Sequence, residues 1–199
     1  MKGAVKLKES LTEPKDIFFA HSAGAQEGPG EGSFDLVSCL RKELSDLYEI
    51  HFPLIEDPEA PTYAMWKELF STELEILNQP LILIGHSLGG SMLLKYLLEE
   101  RHDIKVSALL LVASPYWGKN GWDVEEFALN ENIEMKLKDI EKIYLYHSKE
   151  DDTVPFEHSI IYNNMLPNST IRAIDGTDHV FADGLSELVD DIKSIDQRR

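Results

Sequence analysis

The sequence predicts an α/β fold, a three-layer α/β/α sandwich with a mostly parallel central sheet, and two observations carry that expectation. Short apolar or β-branched runs at 17–20, 50–55, 81–84, 106–112, 143–146 and 170–174 alternate with segments of helical spacing. Such alternation builds right-handed βαβ units, whose parallel sheet is covered by helices on both faces. The second observation is where the reactive residues fall. Serines, carboxylates and histidines follow directly after these runs, at the strand ends where open parallel sheets bind ligands.

In chain order, the amphipathic segment 4–9 offers an antiparallel edge to the sheet. The run 17–20 leads into the turn His21-Ser22-Ala23-Gly24 and then a glycine-rich loop to Gly32. Glycine opens backbone conformations closed to other residues, so this loop is either a mobile gate at the rim or a plain surface turn. A helix is expected over 33–47, a strand over 50–55 and a helix over 63–77. The run 81–84 enters Gly85-His86-Ser87-Leu88-Gly89-Gly90, and helical spacing follows over 91–101. After 106–112 come Ser114-Pro115-Tyr116-Trp117 and an irregular stretch at 122–137. The strand 143–146 ends near Glu150-Asp151-Asp152, and Pro155 sits where the next helix, 156–165, begins. The last strand, 170–174, leads through Asp175-Gly176-Thr177 to Asp178-His179 and a closing helix over 181–195.

A chain of 199 residues, 43% of them hydrophobic, buries one substantial core, and a single domain over 1–199 is expected. The formal charge of −17 repels phosphate backbones and anionic lipid headgroups, which argues against nucleic acid and membrane partners. The lone cysteine, Cys39, excludes an intrachain disulfide. Residues 1–8 alternate charged and apolar side chains without a signal core, and no run approaches the roughly 20 apolar residues that span a bilayer. A cytoplasmic protein fits these features.

The pattern G-x-S-x-G between a buried strand and a helix reads as a nucleophile elbow. Gly85 and Gly89 lack the Cβ atoms that would clash where strand meets helix, so Ser87 is held strained and exposed. A serine hydroxyl is a weak nucleophile at neutral pH and needs a base, which in turn needs an acid to orient it. In the serine, acid, histidine order that accompanies this elbow, only His158 and His179 come late enough. His158 falls inside a helix, whereas His179 follows a strand at the rim and is the expected base. Asp151 is the expected acid, ahead of Asp152, because it stands at the strand end. Asp178 is adjacent to His179 in sequence, which makes it awkward for its carboxylate to reach the ring. A metal site at His147 with the 150–152 carboxylates is not expected, since no His pair at i, i+4 supports one. The oxyanion donors are expected to be the amides of Leu88, just after the nucleophile, and Ala23.

Together these residues resemble the α/β-hydrolase fold family over 17–195: the elbow at 85–90, an acid motif D-x-x-V-P in Asp151-Asp152-Thr153-Val154-Pro155, and a terminal G-x-x-H in Gly176-Thr177-Asp178-His179. The short length is similar to the compact serine hydrolases related to retinoblastoma-binding protein nine, which carry little or no cap. Where many members have His-Gly before the oxyanion residue, this chain has His21-Ser22. Residues 115–138 are too few for a cap domain and leave room for a small lid segment. Tyr116, Trp117 and Trp122 there either line a substrate pocket or pack on the core. The resemblance implies a carboxylesterase-like serine hydrolase acting through an acyl-enzyme on a small ester, thioester or activated amide, with no cofactor. Two alternatives remain open, an acyltransferase and a non-catalytic binding protein that keeps the fold.

Overall fold

The structure, a computed structural model, describes residues 14–100, 103–118, 122–129 and 137–196. The segment 4–9, expected at the sheet edge, lies outside the described residues. Six strands, β1 (Lys15–Ala20), β2 (Tyr48–His51), β3 (Leu81–His86), β4 (Val106–Val112), β5 (Ile143–Ser148) and β6 (Ser169–Ile174), form one sheet in the order β2-β1-β3-β4-β5-β6. Every neighbouring pair is parallel. Five α-helices connect them among the described residues: α1 (Phe34–Leu44), α2 (Tyr63–Glu73), α3 (Leu88–Glu99), α4 (Glu157–Met165) and α5 (Ser186–Asp196).

The period-2 geometry of a strand decides which helices each side chain meets. In β1, Phe18 and Ala20 face the core built with Trp66 and Phe70 of α2 and Leu93, Leu94 and Leu97 of α3. Ile17 and Phe19 face the other way, against Leu36, Val37 and Leu40 of α1 and Leu188 and Ile192 of α5. β3 is buried at all six positions, as a central strand covered on both faces must be. The flanking strands β2 and β6 are only partly buried. On the β6 side, Asp191 of α5 takes both Arg172 Nε and Nη2 at 2.8 Å and the Tyr146 hydroxyl at 2.9 Å, which ties that helix to β5 and β6.

Helices α1 and α2 end at Leu44 and Glu73, short of the expected 47 and 77, and three further boundaries differ from the sequence expectation for a local reason. β2 stops at His51 rather than continuing to 55, because Pro53 has no amide to donate to a ladder. α3 begins at Leu88, three residues early, since the elbow passes straight into the helix. α5 begins at Ser186, five residues late. Phe181 (φ 52°) and Gly184 (φ 89°) both adopt left-handed backbone that a helix cannot contain. No helix among the described residues is long and apolar enough to cross a membrane.

The strand order reverses between β1 and β3, since the chain leaves β1 toward β2 and returns on the other side. Such a switch point opens a crevice at the carboxyl ends of the two strands. The His21 turn and the Ser87 elbow flank it.

Candidate active site

Ser87 stands between β3 and α3 with φ 49° and ψ −126°, a backbone conformation that a residue with a Cβ rarely adopts. Three glycines make this possible by letting backbones touch. A Cβ on Gly85 would strike Gly90, one on Gly90 would strike Ser114 Oγ, and one on Gly89 would be driven into the carbonyl oxygen of His21. The sequence pattern identified Gly85 and Gly89; the requirement for Gly90 emerges only when β4 delivers Ser114 behind the elbow.

Two residues from distant loops line up behind Ser87, one touching it and the other touching the first. His179 Nε2 lies 3.0 Å from Ser87 Oγ, and its Nδ1 lies 2.8 Å from Asp151 Oδ2. An ionised carboxylate only accepts, so Nδ1 carries the proton and Nε2 accepts from the serine hydroxyl. Asp151 is fixed by its own loop, where Oδ1 accepts from the amides of Thr153 at 2.9 Å and Val154 at 2.8 Å. Its side chain is fully buried. Burial alone pushes this carboxyl up, but hydrogen bonds from His147, His179 and the Val154 amide outweigh it and hold Asp151 well below the usual carboxylate range. His147 Nε2 donates to the Val154 carbonyl at 2.7 Å and lies 3.4 Å from Asp151 Oδ2. It therefore braces the acid.

Asp152 and Asp178 take other parts. Asp152 Oδ1 accepts from the Thr153 hydroxyl at 3.1 Å and stays exposed. Asp178 Oδ1 accepts from the amides of Val180 and Phe181 at 3.0 and 2.9 Å, which folds the loop that carries His179. His158 accepts from the Tyr116 amide at 2.7 Å through Nδ1 and packs edge-on to Trp122, so it belongs to a neighbouring wall. Burial lowers its pKa.

The two residues named from sequence as oxyanion donors stand in the two loops that flank the switch point, Leu88 after β3 and Ala23 after β1. Leu88 is the first residue of α3, where an amide has no acceptor within the helix. In the opposite turn the Ser22 amide donates to Ser33 Oγ at 2.9 Å and the Gly24 amide to Pro58 O at 2.8 Å. Ala23 is the residue between these two anchors. The contact of Gly89 with His21 O brings this turn directly over the start of α3.

The glycine-rich loop is tied rather than loose. Gln26 is buried, with Oε1 accepting from the Ile55 amide at 3.0 Å and Nε2 donating to Ser22 O at 3.3 Å, and the Gly30 amide reaches Asp35 Oδ2 at 2.7 Å. Beside it lies a cleft of about 460 Å³, whose lining includes Leu54, Ile55 and the four glutamates Glu27, Glu31, Glu56 and Glu59.

Tyr116, Trp117 and Trp122 sit in an aromatic wall. Trp117 packs edge-on to Trp122 and Phe127 at centroid distances of 5.1 and 5.0 Å, and Tyr116 packs on Tyr162 at 5.6 Å. Residues 119–121 and 130–136 of the expected lid lie outside the described residues. The part at 122–129 is pinned down. Lys95 Nζ bonds Ala128 O at 2.7 Å and Glu99 Oε1 at 2.6 Å, and Glu126 Oε2 accepts from the Tyr63 amide at 3.0 Å.

Among the described residues, the group of donors that could hold a metal is Asp16, Glu49 and His51 on β1 and β2, away from Ser87. Both Asp16 oxygens are already used, by His51 Nε2 at 2.8 Å and the Asn78 amide at 2.7 Å. These contacts make it a hydrogen-bonded group that ties β1 to the edge strand β2.

A family model described as serine hydrolase matches residues 45–185. No curated protein matches the chain by sequence. Among solved structures, the ydeN gene product from B. subtilis is similar at 18% identity and a TM-score of 0.77, over 92% of this chain and 100% of that one. An esterase, EaEST, from Exiguobacterium antarcticum is similar at 16% identity and 0.65, over 92% and 91%. A mutant of a meta-cleavage product hydrolase, CumD, from Pseudomonas fluorescens IP01 is similar at 12% identity and 0.64, over 92% and 89%.

Proposed function

The chain belongs to the serine hydrolase family and has the α/β-hydrolase fold, and from that premise we propose that it cleaves a small ester, thioester or activated amide through an acyl-enzyme. One observation carries the proposal, the continuous hydrogen-bonded line from Asp151 through His179 to Ser87. His179 takes the serine proton as Ser87 attacks the carbonyl carbon, and Asp151 stabilises the imidazolium that forms. The Leu88 and Ala23 amides receive the oxyanion, each such donor being worth about 3 kcal/mol in the transition state. His179 returns the proton to the leaving group, then activates water for deacylation. The chemistry needs no cofactor.

An uncharged ester is the substrate class this reading favours, in the manner of a carboxylesterase. The glutamates around the cleft beside the oxyanion turn, in a chain of charge −17, repel an anionic acyl or leaving group. The same charge favours a small molecule over nucleic acid or an anionic membrane as partner, and the reducing cytoplasm suits the lone thiol of Cys39. Tyr116, Trp117 and Trp122 line the acyl side of the site in this proposal, and 115–138 acts as a small lid segment on a single domain.

The test is labelling with a fluorophosphonate probe. Wild-type protein labels and Ser87→Ala does not; an unlabelled wild type sinks the proposal in favour of a binding protein. p-Nitrophenyl esters of increasing chain length then report the depth of the acyl pocket, and added alcohols or amines distinguish hydrolysis from acyl transfer.

A further inference from the structure

His86, inside the elbow, and Ser33, just before α1, take no part in the chemistry above, yet both are completely buried polar side chains beside it. His86 Nε2 lies 2.9 Å from the backbone carbonyl oxygen of His179, and His86 Nδ1 lies 2.8 Å from Ser33 Oγ. Ser33 Oγ in turn lies 2.9 Å from the Ser22 amide and 3.2 Å from Ser22 Oγ. Ser33 occupies the N-cap position, since its carbonyl accepts the first helical bond from the Val37 amide. A serine there ordinarily turns its hydroxyl back onto the helix. Here the hydroxyl is committed to the opposite side.

We propose that His86 and Ser33 are positioning residues that couple the turn carrying the Ala23 amide to the loop carrying the His179 base. The hydrogen-bond polarity allows one direction of donation. A carbonyl oxygen can only accept, so His86 Nε2 carries the proton and donates to His179 O. Nδ1 of the neutral ring is then an acceptor, and the Ser33 hydroxyl donates to it. Ser33 Oγ accepts from the Ser22 amide. The relay runs Ser22 N–H to Ser33 Oγ–H to His86 Nδ1, and from His86 Nε2–H to His179 O=C. Each buried donor has an acceptor, and no link can be reversed without orphaning a polar group in the interior.

The consequence is geometric. The proposed base comes from the loop after β6 and the proposed second oxyanion donor from the loop after β1, with no backbone ladder between them. Their relative placement must hold to a fraction of an ångström at the moment of attack, and misplacement by about 1 Å costs roughly 100-fold in rate. A histidine at the second position of the elbow reaches both loops because its buried ring lies between His179 O and Ser33 Oγ, with one ring nitrogen for each. The burial that makes the relay rigid also keeps the ring neutral, with the pKa of His86 lowered to about 3 by desolvation first and by the neighbouring His179 second.

This inference rests on the Ser87–His179 reading, so the experiment separates the two. Hydrolysis of p-nitrophenyl acetate and the fluorophosphonate labelling rate are measured for wild type, Ser87→Ala, His86→Leu, His86→Gln, Ser33→Ala and Ser33→Thr, with folding followed by circular dichroism. Loss of labelling in Ser87→Ala establishes the nucleophile independently. His86→Leu is then expected to lower kcat by about 10- to 100-fold with KM within twofold of wild type. His86→Gln, whose amide both donates and accepts, recovers most of that loss, and Ser33→Thr behaves like wild type while Ser33→Ala does not. The double variant Ser33→Ala/His86→Leu costs no more than the worse single change, because one relay is broken either way. A folded His86→Leu with kcat within twofold of wild type overturns the proposal, as do equal losses in His86→Gln and His86→Leu. If His86→Leu does not fold, Ser33→Ala against Ser33→Thr decides by the same criterion.

Discussion

At Ser87 a left-handed backbone and a helix N-terminus meet a proton acceptor delivered by a distant loop, and the roles proposed for the three side chains lead to separable outcomes. Ser87→Ala and His179→Ala are each expected to cut kcat by about 10⁴-fold or more, and the pair together by little more, because they act as one unit. Single-turnover kinetics with a p-nitrophenyl ester would check this; losses that multiply would contradict it. Asp151→Asn removes the acceptor that fixes the imidazole tautomer and should cost about 10³- to 10⁴-fold. Asp152→Asn removes only an exposed bond to Thr153 and should leave the rate within twofold. The opposite ranking in a side-by-side assay would reassign the acid.

Between elements, contacts without side chains set the geometry. Gly89 lies so close to β1 that its added Cβ meets the carbonyl oxygen of His21, a backbone atom that cannot rotate aside. Gly89→Ala must push α3 away from the oxyanion turn, and it is expected to cost about 1–3 kcal/mol or more of stability and most of the activity. Gly28→Ala is the control. An added Cβ there meets only the end of the flexible Glu31 side chain at 3.5 Å, so the urea midpoint should barely move. A Gly89→Ala protein as stable as wild type would mean the elbow is looser than its contacts indicate. Lys95 does similar work for the segment 122–129. Lys95→Met removes the bond to Ala128 O and should raise amide exchange across 124–129, read by mass spectrometry, without changing the core strands.

For the whole molecule, buried imidazoles link stability to pH. Burial lowers His21 to about 4 and His86 to about 3, whereas an imidazole in the unfolded chain titrates near 6.5. Above about pH 6.5 both states are neutral and the contribution is flat. Below it the unfolded chain takes up protons that the folded one refuses, so stability falls as pH drops toward those depressed values. For His86 alone this amounts to about 2 kcal/mol between pH 7 and pH 5. Asp151, held below the usual carboxylate range, adds a further loss in stronger acid as it is forced to protonate. Urea unfolding across pH 5–7 should show the slope, and His86→Gln should flatten it. An unchanged slope in that variant would mean His86 is not the buried neutral ring described here.

The layered fold was legible in the chain because strand and helix periods are local properties of sequence, and strands apolar on both faces, such as Leu81–His86, demand cover on both sides. Ser87, His179 and Asp151 were legible for a related reason: each stands just past a strand, and a parallel sheet collects all strand ends on one rim. The sequence left open whether Tyr116, Trp117 and Trp122 pack or line a pocket, and it held no sign that Ser33 and His86 belong together. Residues 33 and 86 are 53 positions apart, in segments that read as an ordinary helix start and an ordinary elbow residue. What joins them is the side-by-side placement of β1 and β3. The hydrogen-bond partners of a buried polar group are set by which loops the sheet order stacks beside it, and that order is a property of the packed molecule rather than of any segment within it.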